Sequence, residues 1–371
     1  MNDRDSLLAA IFEHPDEDTP RLMFADWLQE NGAPDRGQFV RLQVEGAHAE
    51  PLSPKARKYE GAAQKLLDRH AGAWTEHLAD RAIGWRFARG FIEHVGVNAA
   101  TFARDAAALF AAEPVRSLLI ERFASTTAPV PLDGVFSAPQ MARVQRLDFS
   151  KLRNSADYFE PLSSCPRLGA LAELNLRDSP VPVPWLRALL TGTALPALAA
   201  LDLADNVHLP RVLAEALPQA DHRQFLRLDL SYIPFRSDEL RTVLSSRCVR
   251  GLDELRLVWR KNPAGDGPVT HLNLGWSIPW ERLRVLDLDW QGVGDEGVKE
   301  IVTELNRRPA TAPLRWLGLA NNGLRADAVR ALVGSNAARL KLYHLDLRGN
   351  GLTSGHRAAL EERFPDARVL V

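Results

Sequence analysis

The chain has 371 residues, of which 46% are hydrophobic and 25% are charged, and its formal net charge is -1 at pH 7. This composition excludes a disordered chain, and it excludes a global electrostatic field that would recruit nucleic acid or an anionic membrane. The two cysteines, Cys165 and Cys248, are too few for a disulfide framework or a four-ligand zinc site, which favours a reducing compartment.

The chain begins with a polar segment, Met1 to Asp5, that lacks the basic start and the apolar stretch of a secretory signal. No segment approaches the roughly 18 apolar residues that a membrane-spanning helix requires. We therefore expect a soluble cytoplasmic protein without a membrane partner.

Residues 1–88 have helical patterns and lack any strand repeat. A first-turn proline follows Thr19, and Asn31 with Gly32 marks the end of the same helix, as helix-capping preferences predict. Apolar spacing and proline positions predict four helices, at residues 6–13, 19–30, 37–45 and 56–67.

Part of this helical region resembles a known sequence family. The string DTPRLMFADWLQENG at 18–32, followed by RGQFVRLQ at 36–43, is similar to the repeat-companion domain that accompanies repeat regions in planctomycete-type bacterial proteins. The resemblance implies a bacterial origin and a capping or adaptor role, and it names no partner.

An apolar-x-x-apolar-x-apolar template recurs through the remaining three quarters of the chain. Four copies follow one another at intervals of 27 residues, which is hard to obtain by chance. Their apolar residues are Leu171/Leu174/Leu176, Leu198/Leu201/Leu203, Phe225/Leu228/Leu230 and Leu252/Leu255/Leu257. Further copies, which bring the total to about eleven, begin at Ile92, Val115, Val144, Val269, Leu283, Leu314 and Leu342. The short spacing on both sides of Val269 predicts two truncated repeats.

Each copy predicts a short strand whose second and third apolar residues point to one inner side while their neighbours point outward. Three copies place an asparagine three residues after the third apolar position, at Asn206, Asn322 and Asn350. A buried amide there is expected to satisfy backbone groups of the turn that leaves the strand. Apolar spacing of three and four at 295–305 predicts a return helix.

One strand and one helix cannot bury their own apolar surface, so neighbouring copies must stack. Residues 314–324 and 342–352 resemble the leucine-rich-repeat family, in particular the type found in ribonuclease inhibitor and Ran GTPase-activating proteins. The resemblance implies an α/β solenoid in the form of a horseshoe, with parallel strands on the concave face, helices outside, and an N-terminal all-α cap. The predicted domains are a helical companion or cap domain at 1–88 and a solenoid at 89–371.

Sequence motifs of catalysis and cofactor binding are absent: there is no phosphate-binding glycine loop, zinc-protease motif, nucleophile elbow or kinase signature. His94, His271 and His344 share an outward strand position, but the first and last lie about nine strands apart, roughly 40 Å at about 4.8 Å per strand. The acidic run 16–18 is interpreted as a solvated segment ahead of a helix, and residues 261–268 as a loop. We predict no catalytic, cofactor or metal site and no enzymatic activity.

The outward position between the second and third apolar residues is often acidic. If the strands align, its carboxylates form a stripe on the concave face that suits a partner rich in Arg and Lys. Aspartate is also common at this position in leucine-rich repeats whatever their partner, so both interpretations stay open. The acidic members are Asp148, Asp202, Asp229, Asp287 and Asp346, and the others are Asn175, Arg256, Asn273 and Gly318.

Four consecutive copies carry an aromatic residue two positions after the third apolar residue, namely Tyr232, Trp259, Trp276 and Trp290. Trp and Tyr dominate the energetics of protein interfaces, so these side chains are candidate anchors for a partner, with Trp316 on the sheet surface as a fifth. Equally, they could pack against one another and brace the short repeats.

These patterns predict a non-enzymatic scaffold or adaptor that binds a protein partner on the concave face. One alternative is a sensor or regulatory subunit of a bacterial signalling or defence assembly that controls an effector enzyme, and another is a GTPase-activating protein. Nucleic acid is not expected as a partner, because the acidic stripe would repel phosphate groups. The identity of the partner and the oligomeric state stay open.

Overall fold

The computed structural model describes residues 3–121, 132–150, 158–259, 278–307, 313–336 and 340–371. The chain divides into two compact units. Unit 1 contains residues 1–149 and 164–171, and unit 2 contains residues 150–163 and 172–371.

Unit 1 begins with four helices, as predicted. They are α1 (Asp3–Glu13), α2 (Thr19–Glu30), α3 (Pro34–His48) and α4 (Pro54–Thr75), and a 3-10 turn follows at Glu76–Leu78. The N-cap of α2 is Asp18, one residue before the predicted cap Thr19, and the Asp18 side chain makes no capping bond. Helix α4 continues past its predicted end because Trp74 packs on Phe39, with 5.0 Å between the ring centroids.

A β-hairpin follows these helices. Its strands β1 (Gly84–Ala88) and β2 (Phe91–Asn98) pair antiparallel. The connecting residues Arg89 and Gly90 have φ of 46° and 89°, as a two-residue hairpin turn of the primed type requires. The prediction that residues 1–88 are all helical is therefore wrong for residues 84–88. A five-residue stretch that starts with glycine shows too little alternation to reveal a strand.

The helices of unit 1 pack directly on this hairpin. Phe24 of α2 contacts Phe91, and Phe39 of α3 contacts Phe87, with ring centroids 5.6 and 5.1 Å apart. A Cβ at Gly90 would lie 2.6 Å from a side chain of α3, so the close approach at the hairpin tip requires glycine. The predicted domain boundary after residue 88 falls inside this unit, and it stays a prediction.

The rest of unit 1 alternates helices with strands. The helices are α5 (Ala99–Ala112) and α6 (Asp133–Ser137), the 3-10 turns are Pro139–Arg143 and Pro166–Ala170, and the strands are β3 (Ser117–Glu121) and β4 (Arg146–Asp148). Strands β2, β3 and β4 are consecutive neighbours and run parallel. The template copies that begin at Ile92, Val115 and Val144 therefore form adjacent strands.

Unit 2 alternates short strands and helices. The described strands are β5 (Glu173–Asn175), β6 (Ala200–Asp202), β7 (Arg227–Asp229), β8 (Glu254–Arg256), β9 (Val285–Asp287), β10 (Trp316–Gly318), β11 (His344–Asp346) and β12 (Arg368–Leu370). The described helices are α7 (Phe159–Ser164), α8 (Val183–Thr191), α9 (Pro210–Ala216), α10 (Ser237–Ser245), α11 (Gly294–Arg307), α12 (Ala326–Val333) and α13 (Ser354–Arg363), with 3-10 turns at Leu217–Gln219 and Arg247–Val249.

The strands of unit 2 pair in order from β5 to β12, parallel and in one register. The middle residue of each strand, for example Leu201 or Leu317, is buried in the core. The first and third residues point to the opposite side of the sheet, which we call the strand face. This arrangement of strands and helices is an α/β solenoid of the leucine-rich-repeat kind, as the template predicts.

The observed series of strands differs from the predicted one at two places. Strand β8 pairs directly with β9, with Glu254 opposite Val285, so no strand of a truncated repeat lies between them in the sheet. The copy predicted to begin at Val269 lies outside the described residues. At the far end, β12 extends the sheet beyond the last predicted copy. The template missed this strand because three residues are too few to match three apolar positions.

Buried amides support the turns after several strands, as predicted. Nδ2 of Asn206 donates to two backbone carbonyl oxygens at 2.9 Å, one of them in the preceding coil. Asn322 and Asn350 make the corresponding bonds. The template missed a fourth member, Gln291, whose side-chain amide donates to a carbonyl of the preceding coil from the equivalent position.

Candidate binding surface on the strand face of unit 2

Most of the residues predicted to bind a partner lie on or beside the strand face. The third strand positions hold Asp202, Asp229, Asp287 and Asp346, the first position of β10 holds Trp316, and the turns after β7, β8 and β9 hold Tyr232, Trp259 and Trp290. Asp148 occupies the third position of β4, in unit 1. Trp276 lies outside the described residues.

The four aspartates at the third strand positions of unit 2 each have a structural role in the turn that follows. One carboxylate oxygen accepts a hydrogen bond from the backbone N–H two residues later, at 2.9 Å for Asp202 and Asp229, and at 3.3 and 3.1 Å for Asp287 and Asp346. Asn175 makes the same bond. Such bonds stabilise the turn that leaves the strand. The turn therefore explains the recurrence of aspartate, and it accounts for one oxygen of each carboxylate.

One cluster on this face joins three consecutive coils. We call it the Tyr232 patch, and it consists of Arg177, Asp202, Asp205, Asp229 and Tyr232. The guanidinium of Arg177 lies 5.4 Å from the ring centroid of Tyr232, and its Nη2 is 2.9 Å from Oδ2 of Asp205. Burial opposes the charge of this guanidinium, but the three carboxylates outweigh burial and raise its pKa. Three carboxylates around one cation leave the patch with a net negative charge.

A second cluster, the Trp316 patch, consists of Arg256, Asp287, Trp316, His344 and Asp346. The indole of Trp316 stacks on the imidazole of His344, with centroids 5.1 Å apart and planes 7° from parallel. The guanidinium of Arg256 lies 5.5 Å from the Trp316 ring centroid. Since His344 belongs to β11 and Arg256 to β8, the indole is contacted from both directions along the sheet. An anchor that is ordered in this way loses less conformational entropy when a partner binds.

Gly318 opens a gap in the strand face beneath this indole. Its register partners are Asp287 on β9 and Asp346 on β11. A Cβ at this position would lie 2.6 Å from Oδ1 of Asp287 and 2.7 Å from two ring atoms of Trp316. The missing side chain therefore allows the indole and the carboxyl group to share one strand position.

The two aspartates that flank this gap differ in their ionisation. Asp287 is 6% exposed, and burial, followed by the neighbouring carboxylate of Asp289, raises its pKa to about 7. Burial also raises the pKa of Asp289 to about 6. Asp346 is 3% exposed and burial disfavours its charge, but hydrogen bonds from Arg348, the shortest at 2.5 Å, outweigh burial and lower its pKa. At neutral pH a partly protonated carboxyl group therefore lies two strands from an ionised one.

Backbone strain marks two of the aromatic residues. Tyr232 and Trp290 have φ of 61° and 62°, in the left-handed region that bulky side chains rarely adopt. Equivalent turns use Asp205, Asn321 and Gly349, which tolerate this conformation better. The N–H at this position donates to the next coil, at 2.8 Å for Tyr232 and 2.9 Å for Trp290, which holds the strained backbone. Strained residues cluster at functional sites, and the Trp290 side chain is 38% exposed.

The alternative that the turn aromatics brace one another finds no support in the part of the chain that the structure describes. Among the described residues, no ring contact joins Tyr232, Trp259 and Trp290. Tyr232 instead packs against the guanidinium of Arg177. Trp259 is half-buried, and its Nε1 has no hydrogen-bond partner among the described residues.

Asp205 of the Tyr232 patch was not singled out from the sequence, and neither were three charged residues that lie in or next to the two patches. They are Arg177, Asp289 and Arg348, and each directly follows the third apolar residue of its copy. That shared position is the signal that could have revealed them. The template excluded it, because side chains just beyond a strand have no orientation that periodicity alone predicts.

Replacing Gly318 by alanine is expected to lower the free energy of unfolding by about 1–3 kcal/mol, because the added methyl group displaces Asp287 and the Trp316 indole. Chemical denaturation measures the loss, and near-ultraviolet circular dichroism reports the displaced indole. Alanine at Gly351, where an added Cβ meets nothing within 4 Å, is the control. Equal effects of the two substitutions would contradict this account of the gap.

The strand face offers no ligand set for a metal ion. Within the described ranges, no group of three or more His, Cys, Asp or Glu side chains is arranged to hold one. None of the described helices is both long and apolar enough to cross a membrane.

Comparison with known proteins adds little to this geometry. No protein-family model and no curated protein matches the chain. Among solved structures the chain is similar to the crystal structure of a TLR13–ssRNA13 complex, with 16% sequence identity and a TM-score of 0.39 over 72% of this chain. The match spans 38% of that chain, so this chain covers well under half of the length of its structural neighbour.

Proposed function

We propose that the chain is a non-enzymatic scaffold or adaptor that binds a protein partner through the strand face of unit 2. The observation that carries the proposal is the Trp316 patch, in which an indole is contacted by Arg256 and His344 above a gap between two aspartates. Trp and Arg, which meet in this patch, are among the residue types most enriched in interface hot spots.

The negative charge of the Tyr232 patch favours a partner with a basic surface. The Tyr232 patch carries three carboxylates around one guanidinium, so a partner surface rich in Arg or Lys gains charge-assisted hydrogen bonds there. The same carboxylates repel the phosphates of nucleic acid. Electrostatic attraction of this kind speeds association and weakens as salt is added.

The proposed setting is the cytoplasm, with no cofactor and no catalytic group. Cys165 and Cys248 are both free of disulfides, which suits a reducing compartment. The proposed function is to bind a partner protein as a scaffold or adaptor.

The proposal is tested with the double variant Asp202→Asn/Asp229→Asn. Asparagine keeps the side-chain oxygen that accepts the turn N–H, so the two turns persist while two negative charges disappear. The partner is first captured from the native cell by the full-length protein and then purified. Its affinity for the double variant is expected to fall at least tenfold, and the salt dependence of binding is expected to become shallower.

A matched control removes two charges from the helices instead. Asp238→Asn and Glu296→Gln change exposed side chains of α10 and α11, and they should leave the affinity unchanged. Equal loss of affinity in both double variants, or none in either, would remove the strand face from consideration. Tighter binding of a single-stranded RNA than of any captured protein would also refute the proposal.

A further inference from the structure

A row of polar side chains with an arginine at each end crosses the sheet of unit 1. Arg86 on β1 is the register partner of His94 on β2, His94 of Ser117 on β3, and Ser117 of Arg146 on β4. Directly paired residues of neighbouring strands project from the same side of a sheet. The four side chains therefore share one side of the sheet of unit 1.

We propose that this row binds a phosphate dianion, free or carried as a monoester, through Arg86, His94 and Arg146, with the hydroxyl of Ser117 orienting the imidazole of His94. The site lies in unit 1 and is independent of the partner surface proposed for unit 2. Guanidinium groups at both ends and one neutral N–H donor in the middle suit the tetrahedral arrangement of phosphate oxygens.

The centre of the row supplies one hydrogen-bond donor. Nδ1 of His94 lies 2.7 Å from Oγ of Ser117. When the hydroxyl donates to Nδ1, the imidazole proton is on Nε2, which has no hydrogen-bond partner among the described residues. That N–H can point to a phosphate oxygen.

The two arginines reach the same region from opposite ends. Three strand spacings of about 4.8 Å place their backbones roughly 14 Å apart, a distance that two extended arginine side chains bridge with an anion between them. The charges already influence one another: burial and then Arg146 lower the pKa of Arg86, and burial, Arg86 and Arg146 lower the pKa of His94. A bound dianion would relieve this repulsion.

The neighbouring positions leave room for a ligand. Two residues before Arg86 lies Gly84, and two residues after His94 lies Gly96, its register partner. An added Cβ at Gly84 would meet no atom within 4 Å. An added Cβ at Gly96 would lie 3.2 Å from the Ile83 side chain and 3.6 Å from the Leu119 side chain, so the open space beside the row lies at Gly84.

The ligand is a compact anion and not an extended polyanion. Asp148 lies two residues beyond Arg146 on β4, and its charge raises the pKa of His94. A phosphodiester chain that continued along the sheet would meet this carboxylate.

The two arginines differ in their present contacts. Arg86 is exposed and has no ion pair within the described part of the chain. Arg146 keeps another interaction, which a guanidinium with five N–H donors can combine with phosphate binding.

Binding is measured on the full-length protein by isothermal titration with inorganic phosphate and, separately, with O-phospho-L-serine. Equal affinities indicate a site for free phosphate, and a higher affinity for phosphoserine indicates a monoester on a partner. Arg86→Gln is expected to weaken either ligand about tenfold or more, because one charge-assisted contact is lost. The histidine ring resonance that disappears in His94→Gln is expected to shift on addition of ligand.

Arg241→Gln, which changes an exposed arginine of α10 in unit 2, is the control and should leave the affinity unchanged. The thermal midpoint of each variant without ligand checks that the fold persists. The proposal is overturned if the wild-type chain binds neither ligand, if Arg86→Gln binds as tightly as the wild type, or if a dinucleotide phosphodiester binds more tightly than both.

Discussion

Replacing Arg21 by methionine is expected to lower the free energy of unfolding by about 3 kcal/mol, which is a large part of the stability of an ordinary domain. Arg21 is fully buried, and it donates to Oε1 of Glu93 at 2.7 Å and to the carbonyl oxygens of Pro15 and Arg89 at 3.0 and 3.2 Å. The substitution removes one donor from the partly buried carbonyl groups of Pro15 and Arg89 and leaves the Glu93 carboxylate with Arg89 as its remaining donor. Urea denaturation at neutral pH measures the change.

An exposed ion pair of unit 1 provides the control. Arg69→Met removes an exposed guanidinium 3.4 Å from Asp35, and a change of less than about 1 kcal/mol is expected. Adding Glu93→Gln to Arg21→Met should restore part of the lost stability, because the remaining carboxylate is neutralised. A loss below 1 kcal/mol for Arg21→Met would show that this buried cation does not hold the hairpin to the helices of unit 1.

The second large effect concerns two aspartates with the same local sequence, Leu-Asp-Leu. Asp287→Asn is expected to raise the free energy of unfolding at pH 8 by about 2–4 kcal/mol and to leave it unchanged near pH 4. The pKa of Asp287 is about 7 in the folded chain, above its ordinary value of about 3.9 when unfolded. The folded state therefore binds the proton more tightly, and stability present below about pH 4 is lost as the pH rises through about 7.

Asp346→Asn is the matched substitution, and the opposite sign is expected. Its pKa is lowered in the folded chain, because the hydrogen bonds of Arg348 outweigh burial. The charged form is then stabilising above the unfolded pKa, and this stability is lost as the pH falls through the folded value. At pH 8 the variant should be less stable, by about 1 kcal/mol since Arg348 is largely solvent-exposed. Changes of the same sign at pH 8 would contradict the distinction between the two carboxyl groups.

A carboxyl group that destabilises the fold at neutral pH is expected to serve a function, since stability and activity often conflict at binding sites. If Asp287→Asn is more stable but binds the partner of unit 2 less tightly, then the carboxyl group of Asp287 lowers stability and contributes to binding. Unchanged binding would show that Asp287 is retained for its turn alone, through the bond to the backbone N–H of Asp289.

The spacing of leucines was enough to predict the repeating strand, its buried middle residue and the asparagine that supports the turn. Each of these features recurs from one coil to the next, and a period of about 27 residues records it directly. The pattern failed where the chain departs from the period. It missed the hairpin strand β1 and the last strand β12.

The partners of the side chains were decided by the tertiary structure. Asp287 and Asp346 differ locally in the residue two positions later, Asp289 or Arg348, but the burial of Asp287 and its 3.5 Å approach to Arg256 of β8 are set by the sheet. Contacts such as that of Arg256 with Trp316 cross two strands, between residues sixty positions apart in the chain. Register and burial set such contacts, and neither quantity can be read from the local order of residues, because the strands that meet in the sheet are separated by turns and helices of varying length.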